Sequence, residues 1–246
     1  MTIKDAKLWV THLLFPPICR ACGERQNIFS KQPAGVLCPT CHKQWQQEKN
    51  RSCFACDKAH ENCSCIPTEL QKIGMDTFVH LAPYCPGKPS ASSAMILRGK
   101  DNNDREMFRF LAGEMAEPVR RVLGEDEEVV ITYVPRRRAA VRATGHDHAK
   151  QIAGALADEL KRPLQIALRR RPVTRQQKEL NAAKREKNAA HSFEIADGQA
   201  LMGKTVVLVD DICTTGSSLA ACASHLLEAG AGRIVCAVIA KTESGE

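Results

Sequence analysis

The sequence predicts an α/β fold with a mostly parallel sheet and flanking helices, preceded by a small cysteine-rich module. Of the twelve cysteines, eight lie between positions 19 and 65. After about residue 70, short runs of Val, Leu and Ile alternate with amphipathic segments of helical length, which is typical of βαβ units. We therefore expect two domains, a module at 1–70 and an α/β domain at 71–246.

Composition indicates a protein of the cytoplasm. No apolar run approaches the roughly 18 residues that would span a bilayer, so we expect no membrane span. The stretch Leu8–Phe15 is short and lacks a small-residue cleavage site. It is interpreted as an amphipathic segment rather than a signal peptide, and a cytoplasmic location is expected.

The cysteines of the module form four closely spaced pairs, which predict two zinc sites. Three pairs have the spacing Cys-x-x-Cys and one has Cys-x-Cys: Cys19/Cys22, Cys38/Cys41, Cys53/Cys56 and Cys63/Cys65. Two such pairs supply the four thiolates of a tetrahedral zinc site. We expect the first four cysteines to hold one structural Zn2+ and the last four a second, although an interleaved arrangement would use the same ligands. Disulfides are the alternative, which a cytoplasmic location disfavours.

The first half of the α/β domain is predicted to contain two strands and a long helix. A strand lies within Asp76–Tyr84. Asp104–Leu123 is predicted to be helical because its apolar residues recur every three or four positions. Val129–Val134 is a β-branched run that ends at Pro135, and proline cannot continue a central strand.

The second half repeats the alternation of helices and strands. Helices are predicted at His146–Lys161 and Ser217–Ala229 from the same apolar spacing. Short apolar runs predict strands at Leu164–Leu168, Lys204–Val209 and Ile234–Ala240.

The segment Arg169–Gly203 is expected to be a basic lid. It has 35 residues without a strand signal, which exceeds ordinary connections. Between Lys161 and His191 there are ten Lys or Arg and only two acidic residues, whereas the whole chain has a net charge of +7. Such a segment suits a polyanionic ligand, and Leu180–Ala190 is expected to be partly helical. The alternative is a solvated basic surface.

Residues 206–219 are the most informative stretch and read Val-Val-Leu-Val-Asp-Asp-Ile-Cys-Thr-Thr-Gly-Ser-Ser-Leu. In open α/β sheets ligands bind beyond the C-terminal strand ends, where Asp210 and Asp211 should emerge. The turn that follows leads into a helix whose first N–H groups can bind phosphate, and Gly216 allows close approach. The stretch resembles the signature of type I phosphoribosyltransferases, which bind 5-phosphoribosyl-1-pyrophosphate (PRPP). The alternative is an ordinary strand-to-helix turn with a solvated Asp pair.

Three groups of candidate site residues follow from this interpretation. Asp210 and Asp211 are the candidate catalytic residues and would hold the ribose hydroxyls, directly or through Mg2+. The 5′-phosphate would be bound by Thr214, Thr215, Gly216, Ser217 and Ser218. Pyrophosphate would be contacted by Arg136, Arg170, Arg185 and Lys241, each of which could instead be an ordinary surface cation.

Thr214 disfavours one well-known reaction of such sites. Hypoxanthine-type salvage enzymes resemble this motif but carry an Asp at that place, near the nucleobase. A threonine hydroxyl cannot serve as that general base at neutral pH. The sequence offers no evident replacement base.

Nearly the whole chain resembles the ComF family, whose members combine a zinc ribbon with a phosphoribosyltransferase-like domain. The segment that leads into the family's zinc ribbon is similar to Leu13–Pro17, which precedes Cys19. The family's Val-Pro…Arg…Arg-Gly segment is similar to Val134–Arg136, followed by Arg142 and residues 145–148. The family's spaced pattern is matched by Arg170, Thr174, Gln177, Leu180, Arg185, Asn188 and Phe193. Thr144 departs from the family, which often has Arg there.

The resemblance implies a type I phosphoribosyltransferase fold, binding of PRPP or a nucleotide, and a role in DNA uptake with a helicase partner. Three functions stay open: a PRPP transferase, a non-catalytic PRPP or nucleotide sensor, and a zinc-dependent adaptor. Direct binding of nucleic acid also stays open. Residues 1–70 carry nine basic and six acidic side chains, so with two zinc sites the module is not strongly basic.

Overall fold

The computed structural model describes residues 15–26, 35–85, 87, 90–171 and 192–242. In chain order the helices and strands are α1 (Pro39–Asn50), α2 (Thr68–Gln71), β1 (Phe78–Tyr84), α3 (Ala91–Asn102), α4 (Arg105–Val122), β2 (Val129–Tyr133), α5 (Arg138–Thr144), α6 (His148–Leu160), β3 (Leu168–Arg170), β4 (Phe193–Ile195), β5 (Thr205–Cys213), α7 (Ser217–Glu228) and β6 (Arg233–Thr242). Single turns of 3₁₀ helix lie at His60–Asn62 and Gln199–Leu201. None of the helices in this described part is long and apolar enough to cross a membrane.

The centre of the fold is a four-stranded parallel sheet in the order β1-β6-β5-β2. Its two faces are both covered, as expected for parallel strands. Val207 and Val209 point to the face covered by α4 and α6, whereas Val206 and Leu208 point to the face covered by α7. The predicted mostly parallel α/β fold is confirmed.

The cysteine-rich segment packs directly on the α/β unit. Trp45 of α1 is fully buried in the same apolar cluster as α4, and its Nε1–H donates to Glu114 Oε2 at 2.8 Å. Lys49 Nζ lies 2.8 Å from the same carboxylate and 3.2 Å from Glu61. The segment therefore shares a core with the α/β unit.

Two predictions about the chain between α6 and β5 are wrong. Residues 164–168 do not form a strand: Leu164 makes one isolated bridge to Ile131, and β3 begins at Leu168. The segment Arg169–Gly203 does contain strands, because β3 and β4 pair antiparallel as a separate two-stranded sheet. Three-residue strands are too short to give an apolar pattern. The expected helix at Leu180–Ala190 lies outside the described residues.

Helices α1, α3 and α5 had no counterpart in the sequence predictions. Helix α1 begins at Pro39, a favoured first helical residue, with Cys38 as its N-cap. Helix α3 contains Ser, Arg, Lys and Gly among few large apolar residues, and α5 has no buried residue at all. Neither presents the wide apolar stripe that identifies a surface helix.

Candidate functional site

The acidic pair lies inside β5, which continues through both carboxylates to Cys213. The Asp211 amide donates to Asp210 Oδ1 at 2.8 Å, and Lys100 Nζ lies 2.8 Å from Asp211 Oδ2. Burial and the adjacent charge of Asp211 raise the pKa of Asp210 well above its ordinary value. This environment therefore disfavours the charged form of Asp210, and a bound cation would favour it.

A glycine-containing loop joins β5 to α7 and surrounds a small cavity. Gly216 has a φ of 87°, in the left-handed region that favours glycine, and it is the N-cap of α7. The cavity measures about 80 Å3 and is bordered by Asp210 and residues 212–219. Thr215 Oγ1 lies 2.9 Å from Ser217 Oγ and accepts from the Ser217 amide at 3.3 Å. The loop therefore places hydroxyls and the helix N-terminus around one small space suited to an anion.

The cysteine-rich segment supports this loop from outside. A Cβ on Gly216 would lie 3.0 Å from Pro67 Cβ and 3.8 Å from Glu69 Cβ. Pro67 follows Cys65, the last cysteine of the segment, by two residues. Lys241 at the end of β6 donates from Nζ to the Cys65 carbonyl at 3.0 Å. The loop is thus in contact with the chain that leaves the second cysteine cluster.

Cys213 is not a nucleophile in this arrangement. It is buried beside the loop, and burial together with the charge of Asp210 raises its pKa to about 12. The thiol stays protonated at neutral pH, whereas reactive cysteines are thiolates.

Arg136 lies just after β2, at the same end of the sheet. Its amide donates to Asp147 Oδ2 at 3.2 Å, and its Nη1 reaches the His146 carbonyl at 3.2 Å and His148 Nδ1 at 3.1 Å. Burial and the positive charge of Arg136 lower the pKa of His148 to about 4, so this imidazole is neutral. Arg136 therefore has a structural role, and its ligand role stays a prediction.

Arg170 approaches the acidic pair from β3. Its guanidinium stacks on the ring of Phe193 at 4.9 Å. Burial and repulsion by Arg137 lower its pKa, and the negative charge of Asp210 opposes that shift. Arg170 thus feels the charges of both Arg137 and Asp210. Arg185 lies outside the described residues.

Sequence reasoning missed Lys100 and His148 as neighbours of the acidic pair and Arg137 as a neighbour of Arg170. The sequence could have indicated Arg137, because this residue belongs to the run of basic residues that follows Pro135. His148 lies in a segment that the sequence already singled out, but nothing there indicated its contact with Arg136. No local pattern in the sequence indicated Lys100, because helix α3 brings it to Asp211 from a distant part of the chain.

The eight cysteines of the N-terminal segment form two compact groups in chain order. In each group the four Sγ atoms all lie within 4.8 Å of one another: Cys19, Cys22, Cys38 and Cys41, then Cys53, Cys56, Cys63 and Cys65. All twelve cysteines fall within the described residues, and none forms a disulfide.

The spacing of the sulfur atoms fits zinc. A tetrahedral site with Zn–S bonds of about 2.3 Å requires sulfurs about 3.8 Å apart. The distance is 3.9 Å between Cys22 and Cys38, and 3.6 Å between Cys56 and Cys63. The Cys38 amide also donates to Cys19 Sγ at 3.2 Å, which is the kind of outer interaction that supports metal-bound thiolates. Both groups could therefore hold a zinc ion.

One comparison with known protein families matches the second half of the α/β unit. Residues 147–246, which contain α6, β5, the glycine loop, α7 and β6, match the family model for the phosphoribosyl transferase domain. No curated protein sequence matches the chain. The unit is a phosphoribosyltransferase-like fold preceded by cysteine clusters able to bind metal.

Several solved structures resemble the chain at low sequence identity. The allosteric regulatory enzyme of purine biosynthesis is 23% identical with a TM-score of 0.37, covering 53% of this chain and 25% of that one. Glutamine PRPP amidotransferase from B. subtilis, complexed with ADP and GMP, is 19% identical with a TM-score of 0.41, covering 60% and 30%. A hypoxanthine-guanine phosphoribosyltransferase from Bacillus anthracis is 17% identical with a TM-score of 0.34, covering 55% and 66%. The chain thus matches only a quarter to a third of the first two proteins.

Proposed function

We propose that the α/β domain, residues 71–246, binds PRPP or a related phosphoribosyl ligand together with Mg2+ in the cytoplasm. The observation that carries this proposal is the half-buried acidic pair within the last four residues of β5, followed by a glycine loop at the start of α7. The match of residues 147–246 to the phosphoribosyl transferase domain supports it.

Each part of the ligand has a matching group. The 5′-phosphate would accept hydrogen bonds from the loop amides and hydroxyls of Thr214, Thr215, Gly216, Ser217 and Ser218. The ribose hydroxyls would donate to Asp210 and Asp211. Pyrophosphate would be neutralised by Arg136, Arg170, Arg185 and Lys241.

The acidic pair is also the site that suits Mg2+. Mg2+ prefers carboxylate and phosphate oxygens. Burial and, after it, the charge of Asp211 raise the pKa of Asp210, and a bound cation would offset both effects. Asp210 and Asp211 would hold the ion, which would neutralise charge on the departing pyrophosphate. Lys100 already supplies one positive charge to Asp211.

A transferase and a sensor would use the same binding groups. A transferase needs an acceptor and a base to activate it, and the exposed Thr214 supplies no base. That observation favours a non-catalytic PRPP or nucleotide sensor as the second candidate function. Release of pyrophosphate from PRPP and Mg2+ in the presence of candidate acceptors distinguishes the two.

The two cysteine clusters, which could hold zinc, support membership of the ComF family and a role in DNA uptake with a helicase partner. In a host that takes up DNA, a strain lacking this chain should transform less often. The wild-type chain should restore transformation. A chain that carries both Asp210→Asn and Asp211→Asn should not restore transformation, unless the protein serves only as an adaptor.

Calorimetric titration with PRPP and Mg2+ tests the binding proposal. The double variant Asp210→Asn/Asp211→Asn should bind at least tenfold more weakly, because a hydrogen bond to a charged group contributes roughly 1.5–3 kcal/mol. Asp197→Asn is the matched control, since Asp197 is exposed and contacts Gln165 away from the site. Absence of heat with the wild-type protein, or equal affinity in the double variant, would refute the proposal.

A further inference from the structure

Lys100 lies against one carboxylate oxygen of the acidic pair. Its Nζ is 2.8 Å from Asp211 Oδ2, and the side chains of Lys100 and Asp211 are 25% and 17% exposed. Solvent and salt screen a partly buried ion pair much less than a pair at the surface. The protein therefore places a cation of its own beside a carboxylate that the proposed function assigns to Mg2+.

The helix that carries Lys100 is anchored at both ends. The first two amides of α3 donate to the Glu48 carboxylate at 2.5 and 2.9 Å. Near the other end, Gly99 packs closely under Phe108, because a Cβ added to Gly99 would lie 3.1 Å from an atom of the Phe108 ring. Lys100 follows Gly99 directly, so its backbone is held in place and the contact with Asp211 is part of the fold.

Each carboxylate of the pair already has one oxygen in use. Asp210 Oδ1 accepts from the Asp211 amide at 2.8 Å, and Asp211 Oδ2 faces Lys100. The carboxylate of Asp147, which also acts on Asp210, accepts from the Arg136 amide at 3.2 Å. A metal ion that enters alone must therefore displace Lys100 or bind beside its positive charge, and like charges repel strongly where water is partly excluded.

Mg2+ is poorly suited to win this competition without a ligand. It gives up its water reluctantly, and proteins usually bind it through one or two carboxylates together with substrate phosphates. A diphosphate chelates the ion with its own oxygens and also offers negative charge to Lys100. Because a lysine ammonium sits on a flexible stem, Nζ can leave Asp211 for such a phosphate while α3 stays in place.

We propose that Lys100 is an internal counter-ion that keeps divalent metal off Asp211 until a diphosphate-bearing ligand brings the ion with it. The part played by the ligand rests on the proposed function, whereas the exclusion of metal from the ligand-free pair does not. Lys100 thereby makes metal binding depend on a diphosphate. A phosphoribosyl ligand with a single phosphate should bind without any need for Mg2+.

Titration of the full, zinc-loaded chain with Mn2+ alone tests the exclusion directly. Mn2+ takes the same octahedral oxygen ligands as Mg2+ and binds more weakly than Zn2+, so it leaves the cysteine clusters occupied by zinc. The electron paramagnetic resonance signal of free Mn2+ gives the fraction bound. Lys100→Met should bind Mn2+ about tenfold more tightly than the wild type, or better, because it removes the repulsion and frees Asp211 Oδ2.

Three further variants separate the charge of Lys100 from its shape. Lys100→Gln is a second neutral variant and should behave as Lys100→Met does, whereas Lys100→Arg keeps the charge and should behave as the wild type does. Lys204→Met is the matched control, because Lys204 also pairs with a carboxylate, that of Glu128 at 3.7 Å, but precedes the first residue of β5. Equal Mn2+ affinity in the wild type, Lys100→Met and Lys100→Gln would overturn the proposal.

Calorimetry on the wild type needs no variant and separates this proposal from the proposed function. PRPP should bind tightly only with Mg2+, and ribose 5-phosphate should bind equally with and without it. A requirement of ribose 5-phosphate for Mg2+ would overturn the role of Lys100. If Lys100→Met gains Mn2+ affinity in a protein that does not bind PRPP, the exclusion stands and the proposed function fails. If PRPP binds with Mg2+ but Lys100→Met gains no Mn2+ affinity, only the role of Lys100 fails.

Discussion

Replacing Gly216 by alanine should disturb both the glycine loop and its contact with the cysteine-rich segment. Gly216 has a φ of 87°, where an L-residue costs roughly 1–2 kcal/mol. The new Cβ would also lie 3.0 Å from Pro67 Cβ, so Pro67 or the loop must shift. Gly74→Ala is the matched control, because Gly74 has a φ of 76° and a Cβ added there would meet no other described atom within 4 Å.

Both variants should therefore lose about 1–2 kcal/mol of stability from backbone strain. Gly216→Ala should lose more than Gly74→Ala, because only it displaces Pro67. Denaturant titration measures the stability, and calorimetry with ribose 5-phosphate measures binding. Only Gly216→Ala should bind more weakly, by about tenfold or more. Equal stability losses combined with unchanged binding in Gly216→Ala would refute the contact and the loop's role.

Three further predictions concern the charges and the metal clusters. Lys100→Met should destabilise the protein, and adding Asp211→Asn should reverse part of that loss. A double-mutant cycle measured by denaturant titration should give a coupling free energy of about 1–3 kcal/mol. Additive effects of the two substitutions would exclude the ion pair. Asp210→Asn should be more stable than the wild type at pH 7, with a difference that disappears near pH 4. A carboxyl with a raised pKa lowers the stability of the folded protein as pH rises from the ordinary Asp value of 3.8 through the pKa in the folded state, whereas Asn does not titrate. A stability difference between the variant and the wild type that does not depend on pH would contradict this. Metal analysis should give two zinc ions per chain, and Cys63→Ser should weaken binding of ribose 5-phosphate more than Cys22→Ser, since only the second cluster adjoins the loop. Equal effects would refute that coupling.

The sequence predicted the elements whose pattern reflects burial. The helices α4, α6 and α7 repeat apolar residues and lie where the pattern placed them, whereas β5 continues four residues beyond its predicted end at Val209. The two cysteine groups were predictable because the two cysteines of each metal-binding pair are separated by only one or two residues in the sequence. The glycine loop was predictable because one short stretch contains the strand, the acidic pair and the start of the helix.

The remaining features depend on tertiary contacts that leave no local pattern. Lys100 reaches Asp211 only because the tertiary fold brings α3 close to β5. The support of Gly216 by Pro67 depends on how the cysteine-rich segment folds back over the sheet. The short pair β3 and β4 forms around the buried Phe193, and three residues per strand give too little sequence to recognise.

Backbone amide NMR during titration with PRPP and Mg2+ tests the central claim most directly. The account predicts saturable shifts of the amides of 210–218, including the first turn of α7, in the wild-type chain. The same amides should not shift in Asp210→Asn/Asp211→Asn at equal ligand concentration. Shifts confined to other parts of the chain, or identical shifts in the variant, would contradict a phosphoribosyl site at the end of β5.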